Sequence, residues 1–81
     1  MSETILDTQG TLCPIPVIKT QQAIKKLAPK DHLKVLASDP GTLHDIPAWC
    51  RVHGHSLVSS EHLDSRIEIV IEVGEQSDSV W

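Results

Sequence analysis

The sequence predicts an α+β fold: a βαβαββ two-layer sandwich in which two helices cover one face of a four-stranded mixed sheet. Three observations predict it. Short β-branched or alternating runs occur at 4–8, 32–37, 56–61 and 66–73. Two stretches with helical spacing, 15–27 and 43–53, separate the first three of these runs. The last run, "RIEIVIEV", alternates, with Ile67, Ile69, Ile71 and Val73 on one side and Arg66, Glu68 and Glu72 on the other. One sheet face is therefore wet, and both helices belong on the opposite face.

Each element follows from its residues. "TILDT" (4–8) is short and β-branched, and reads as the first strand. In the first helix Val17, Ile24, Leu27 and Ala28 fall near one face, Lys19, Gln22 and Lys26 fall on the other, and Pro29 ends the element. In "HLKVLA" (32–37) Leu33, Val35 and Ala37 share one side. "SDPGT" (38–42) carries turn chemistry, with Asp39 and Thr42 as candidate helix caps. Pro47 lies inside the second helix, which either starts near Asp45 or bends there; Gly54 supplies its C-terminal cap. "SLVSSE" (56–61) is the third strand, and "HLDS" suits a hairpin turn into the fourth. Leu36 and Val70 are expected on the wet face. Residues 1–3 and 75–81 read as loose ends of one domain spanning 1–81, with its core at about 4–73.

Composition narrows the function. An 81-residue chain holds one small domain with a modest core. Its net charge of −4 argues against a nucleic-acid-binding domain. All five lysines (Lys19, Lys25, Lys26, Lys30, Lys34) lie in one short window, and the chain from Glu61 onward is acidic. The two cysteines, Cys13 and Cys50, are too few for a disulfide scaffold. No basic region followed by an apolar run opens the chain, and no aliphatic run is long enough to span a membrane. A cytoplasmic protein with reduced thiols is expected.

The stretch "GTLCPIPV" (10–17) carries the chemistry. Right-handed crossovers place the start of the first helix at the C-terminal edge of the first strand, where open sheets carry their sites. Proline is tolerated in a first helical turn, whose N–H groups lack internal partners. Pro14 is expected at the first helical position, Pro16 two later, and Cys13 at or beside the N-cap. The helix dipole and the Ile15 amide then favour a thiolate at Cys13, below the free value of about 8.5. Pro14 and Pro16 fix the backbone behind the sulfur. None of the five histidines sits in a motif that marks a catalytic base. Such a thiolate suits attack on a sulfur brought by another protein. The competing reading makes Cys13 a small buried hydrophobe at an ordinary helix start.

"LDTQGTLCPIPVIKTQQAI" resembles the signature of the TusA/SirA-like sulfur-carrier family, in Leu6, Asp7, Gly10, Cys13, Pro14 and Pro16. "ASDPGTLHDIPAWCRVHGHSLV" is similar to the family's second block, in Asp39, Pro40, Asp45, Ile46, Pro47 and Cys50. The resemblance covers about residues 4–73 and implies the same βαβαββ sandwich. It implies that Cys13 accepts a sulfane sulfur as a persulfide, with a cysteine desulfurase or rhodanese as donor and another sulfur-relay protein as acceptor. Uses in the family include tRNA thiolation, oxidative sulfur metabolism and molybdenum-cofactor supply. No cofactor, metal, nucleic acid or membrane partner is implied. A monomer is the default. One departure stands out: the tRNA-thiolation branch carries Glu between the two prolines, where this chain has Ile15.

Other candidates are weighed the same way. Cys50, one turn after Ile46, reads as core packing, or else as a redox partner for Cys13. His53, His55 and Cys50 lack the regular paired spacing of a zinc site. Lys25 and Lys30 read as solvated surface, whereas Lys19 and Lys26 are candidate docking residues. Asp7, Asp39 and Asp45 read as caps or turn residues. Rival readings of the whole chain are an interaction module without sulfur chemistry and a Cys13/Cys50 thiol-redox protein.

Overall fold

The computed structural model describes residues 3–12 and 14–74. In order, the elements are β1 (Glu3–Asp7), α1 (Ile15–Ile24), β2 (His32–Ala37), α2 (Thr42–His53), β3 (Ser56–His62) and β4 (Ile67–Glu72). The four strands form one mixed sheet in the order β1-β2-β4-β3. β1 runs parallel to β2, whereas β4 is antiparallel to both β2 and β3. The fold is the α+β sandwich expected from the sequence.

Period-two alternation decides which sheet face is dry. Leu33, Val35 and Ala37 of β2 and Ile67, Ile69 and Ile71 of β4 are buried, together with Val73 just beyond. They form one apolar cluster with Ile24 of α1 and Ile46, Trp49 and Cys50 of α2. Burying a Leu- or Ile-sized side chain contributes about 1.5–3 kcal/mol, so this cluster is the main stabilising element of a chain with little surface to bury. Leu36 and Val70 lie half-buried on the uncovered face, as expected. The register there sets Asp7, Leu36 and Glu68 in one row and Ile5, Lys34 and Val70 in the next. Lys34 and Arg66 both reach Glu68, at 3.3 and 2.7 Å. Desolvation opposes ionisation of Glu68, but the hydrogen bonds from Lys34 and Arg66 outweigh it and hold its carboxyl below the usual range.

Several local expectations are corrected. α1 ends at Ile24, and a tighter turn follows, with Lys26 N–H donating to Ala23 O and Leu27 N–H to Ile24 O. Leu27 still packs on the core, but Ala28 is exposed. α2 starts at Thr42 and runs through Pro47. Proline has no N–H, so the Leu43 carbonyl loses the bond it would receive from position 47. Asp39 and Thr42 do not cap α2. Gly41 is its N-cap, Asp39 Oδ1 accepts from Gly41 N–H at 3.0 Å, and the Thr42 hydroxyl donates back to Asp39 O at 2.8 Å. Gly54 closes α2 at φ +81°, as expected for a left-handed cap. β3 is irregular, with a register shift between Leu57 and Ser59.

The end of α2 holds an aromatic stack. Trp49 lies between His53 and His55, with ring centroids 4.8 and 5.2 Å away. His55 is buried, and its Nδ1 accepts from Gly74 N–H at 3.0 Å. That bond requires Nδ1 to be unprotonated. Burial, then the neighbouring His53, lowers the pKa of His55. A lowered folded value makes its contribution complete above the unfolded value of about 6.5 and lost as pH falls through the folded one. The urea midpoint is expected to fall below about pH 6.5, and less so in His55→Asn, whose amide oxygen accepts the same N–H without titrating. Parallel pH profiles for the two proteins would refute this.

Candidate functional site

The site is built from the loop that joins β1 to α1 and from the start of that helix. β1 and β2 are parallel, so their C-terminal ends share one sheet edge. The loop is fastened to that edge at two places and closed on itself at a third. Both the amide and the hydroxyl of the buried Thr8 donate to Leu36 O, each at 2.7 Å. Thr11 Oγ1 and Thr11 N–H both turn back to Thr8 O, at 2.6 and 3.2 Å. Gly10, at φ +84°, donates its N–H to Ser38 Oγ at 2.9 Å. A left-handed backbone there suits glycine, and the bond to Ser38 ties the loop of residues 8–12 to the loop that leads into α2.

α1 begins at residue 15, where the helical spacing starts, but Pro14, expected at the first helical position, stands one place before it. Pro14 is the N-cap at φ −91° and ψ 11°, Ile15 is the first helical residue, and Pro16 is the second. The Ile15 amide, expected to face a sulfur, donates to Leu12 O at 3.0 Å. Pro16 has no N–H, so the next backbone donor of the turn belongs to Val17. Pro16 is buried, and its carbonyl accepts from the Thr20 hydroxyl at 2.8 Å. Pro14 and Ile15 are exposed, as are Lys19 and Lys26. Cys13 lies outside the described residues, as does the segment 75–81. The cap is Pro14, so Cys13 precedes it in sequence, and the expected exposure of Cys13 lies outside the described residues.

The structure brings together residues that sequence reasoning passed over. Leu12 and Ile18 stand exposed on either side of the Pro14–Ile15 pair, at 70% and 44%, and Ile15 itself is 44% exposed. The missed signal was helical spacing: Ile15, Ile18, Lys19 and Gln22 share one face of a 3.6-residue turn. Thr8 and Ser38 carried no motif at all. The Thr8 hydroxyl and Ser38 matter because of partners that lie 28 residues away.

Cys50 belongs to the core. It is 1% exposed, and burial pushes its thiol up to about 11. At neutral pH it stays protonated and is a poor nucleophile. Among the described residues no helix is long and apolar enough to cross a membrane, and no group of three or more His, Cys, Asp or Glu side chains is placed to hold a metal ion.

Comparison with known proteins gives this geometry its context. The family model described as Sulfurtransferase TusA matches residues 4–73. The chain belongs to the TusA family. Among its curated relatives is the sulfur carrier protein TusA of Pseudomonas syringae pv. tomato, 41% identical over 63 residues, which are 78% of this chain and 75% of that protein. The sulfur carrier protein TusA of Pseudomonas aeruginosa is 44% identical over 59 residues, 73% of this chain and 75% of that one. A crystal structure of a SirA-like protein from Desulfitobacterium hafniense superposes with a TM-score of 0.77 at 26% identity, covering 93% of this chain and all of the other. The TusA assignment thus spans both blocks quoted above, including the loop pinned by Thr8, Gly10 and Thr11.

Proposed function

We propose that this TusA-family protein carries sulfane sulfur on Cys13, as a cytoplasmic monomer without a cofactor. The observation that supports this most directly is the placement of Pro14 and Ile15. They follow Cys13 in sequence and stand exposed at the head of α1, on an edge fixed by Thr8, Gly10 and Ser38. The Cys13 thiolate attacks the outer sulfur of a donor's cysteine persulfide. A sulfur–sulfur bond forms at Cys13 as the donor's breaks, and the donor cysteine leaves as a thiolate. The number of sulfur–sulfur bonds is unchanged, so no external oxidant or reductant is needed. An acceptor thiolate then repeats the exchange. The dipole of α1 favours the anionic sulfur at each stage. The first-turn amide best placed in sequence for this is that of Val17, since the Ile15 amide serves Leu12. Pro14 and Pro16 hold the turn. A cysteine desulfurase or rhodanese supplies the sulfur, and another relay protein receives it.

The burial of Cys50 weighs against a Cys13/Cys50 redox pair. Incubation with a cysteine desulfurase and cysteine is expected to add about 32 Da, one sulfur atom, in a form removed by reductant. Cys13→Ser abolishes the adduct and Cys50→Ser retains it. An adduct that persists in Cys13→Ser, or that needs Cys50, refutes the assignment. A loss of two hydrogens in place of the gain establishes the redox pair.

A further inference from the structure

We infer that the outer edge of β1 takes up an extended segment of a partner protein as an added strand, and that this segment sets cationic side chains opposite Glu3 and Asp7 and an apolar one opposite Ile5.

The main chain provides the template. β1 and β3 are the outer strands of the sheet. β3 is interrupted by a register shift, whereas β1 pairs with β2 without a break from Glu3 to Asp7. Thr8 N–H donates inward, to Leu36 O. Main-chain groups alternate sides along a strand, so those of Thr4 and Leu6 also face β2. The N–H and C=O groups of Glu3, Ile5 and Asp7 therefore point away from the sheet. Glu3, Thr4, Ile5 and Asp7 are all exposed, Ile5 at 62%. An open row of this kind accepts a further strand: main-chain bonds supply affinity, and alternate side chains supply selectivity.

The side chains name the occupant. Glu3, Ile5 and Asp7 lie in rows with His32, Lys34 and Leu36 on the uncovered face. Lys34 and His32 turn the other way, to Glu68 and Glu72 of β4, at 3.3 and 3.4 Å. Neither Glu3 nor Asp7 forms an ion pair among the described residues. Asp7 accepts from the amide and the side chain of Gln9, both neutral donors that leave its charge in place. Asp39, in the loop after β2, adds a carboxylate at the same end of the sheet. The lysines of α1 belong to the helix layer, across the sheet from this row. A second copy of this chain fits poorly. Antiparallel pairing of two β1 strands about Ile5 sets Glu3 against Asp7 twice, and like charges directly opposite each other are destabilising. A segment that reads cation, any residue, apolar, any residue, cation matches all three positions in either direction.

The test adds the end-capped peptide Lys-Thr-Val-Thr-Lys to the intact protein and follows amide shifts and hydrogen exchange by NMR. Near saturation the amides of Glu3, Ile5 and Asp7 are expected to exchange about tenfold more slowly, while those of Thr4, Leu6 and Thr8, already bonded to β2, stay within about twofold. Ile5→Pro removes one outward N–H and no bond to β2, and is expected to weaken binding about tenfold. Glu3→Lys is expected to weaken it about fivefold and to favour the peptide Glu-Thr-Val-Thr-Lys instead. Circular dichroism checks that each variant is folded; if Ile5→Pro is not, Glu3→Lys decides. Absence of shifts at millimolar peptide, shifts confined to other surfaces, or Glu-Thr-Val-Thr-Glu binding as well as the basic peptide overturns the inference. So does parent-like binding by a folded variant. Protection of the same amides that grows with protein concentration, without peptide, assigns the edge to a second copy and overturns it too.

Discussion

Gly74→Ala is expected to lower stability by about 3 kcal/mol, through overpacking that no side chain can relieve. A Cβ at position 74 would collide with the carbonyl oxygen of Gly54, a backbone atom that no rotamer change can move aside. The same segment is held from two sides. Gly74 N–H donates to His55 Nδ1, and Val73 exchanges backbone hydrogen bonds with the turn at Lys30 and Asp31. The end of β4 therefore cannot move away from α2 without breaking those bonds. For a domain of this size the loss corresponds to roughly 12–24 °C in Tm. Gly10→Ala is the control. Its φ is also positive, at +84°, but nothing lies within 4 Å of the added carbon, so only the conformational cost of about 1–2 kcal/mol applies. Thermal melts of the two variants separate collision from backbone strain. Equal losses would show that the contact between Gly54 and Gly74 yields easily.

Trp49→Ala is expected to cost about 3–5 kcal/mol, the range for removing a large aromatic side chain from a core. Trp49 is 8% exposed, packs in the main apolar cluster and stacks on two histidines. Trp49→Phe should behave differently. The indole Nε1–H is buried and has no acceptor among the described residues. An unsatisfied buried donor costs about 1–3 kcal/mol, and phenylalanine removes it while keeping a ring between His53 and His55. The two effects oppose each other, and the phenylalanine variant is expected within about 1 kcal/mol of the parent. Urea titrations followed by circular dichroism measure both. A phenylalanine variant as unstable as the alanine one would mean that the indole N–H is satisfied in solution.

Where the sequence was legible, periodicity was the reason. The alternation in β2 and β4 gave the buried face because a strand has only two sides. The burial of Cys50 followed from its place one turn after Ile46. The misplacements have equally physical causes. Pro14 and Pro16 are both compatible with the start of a helix, so spacing alone could not decide whether the cap fell at 13 or 14. Asp39 and Thr42 are cap residues by type, yet here they satisfy each other's loop and leave the cap to Gly41. Pro47 argued for a break that packing of Ile46, Trp49 and Cys50 overrides. The pinning of the thiol loop by the Thr8 hydroxyl and Ser38 could not be read at all, because their partners are distant in sequence and neither bond leaves a local pattern. The exposed aliphatics beside position 13 were visible as residues but not as a surface until the helix fixed their direction.

The irregularity in β3 bears on how crowded this protein can become in solution. β3 is an outer strand, and its Leu57 and Val58 are exposed at 42% and 51%. A straight apolar strand in that place would offer an even row of amides and carbonyls to a neighbouring molecule. The extra residue between Leu57 and Ser59 kinks that row and spoils its spacing. Pairing of a second sheet along this border is thereby disfavoured, which leaves β1, with its exposed Ile5, as the regular edge of the sheet.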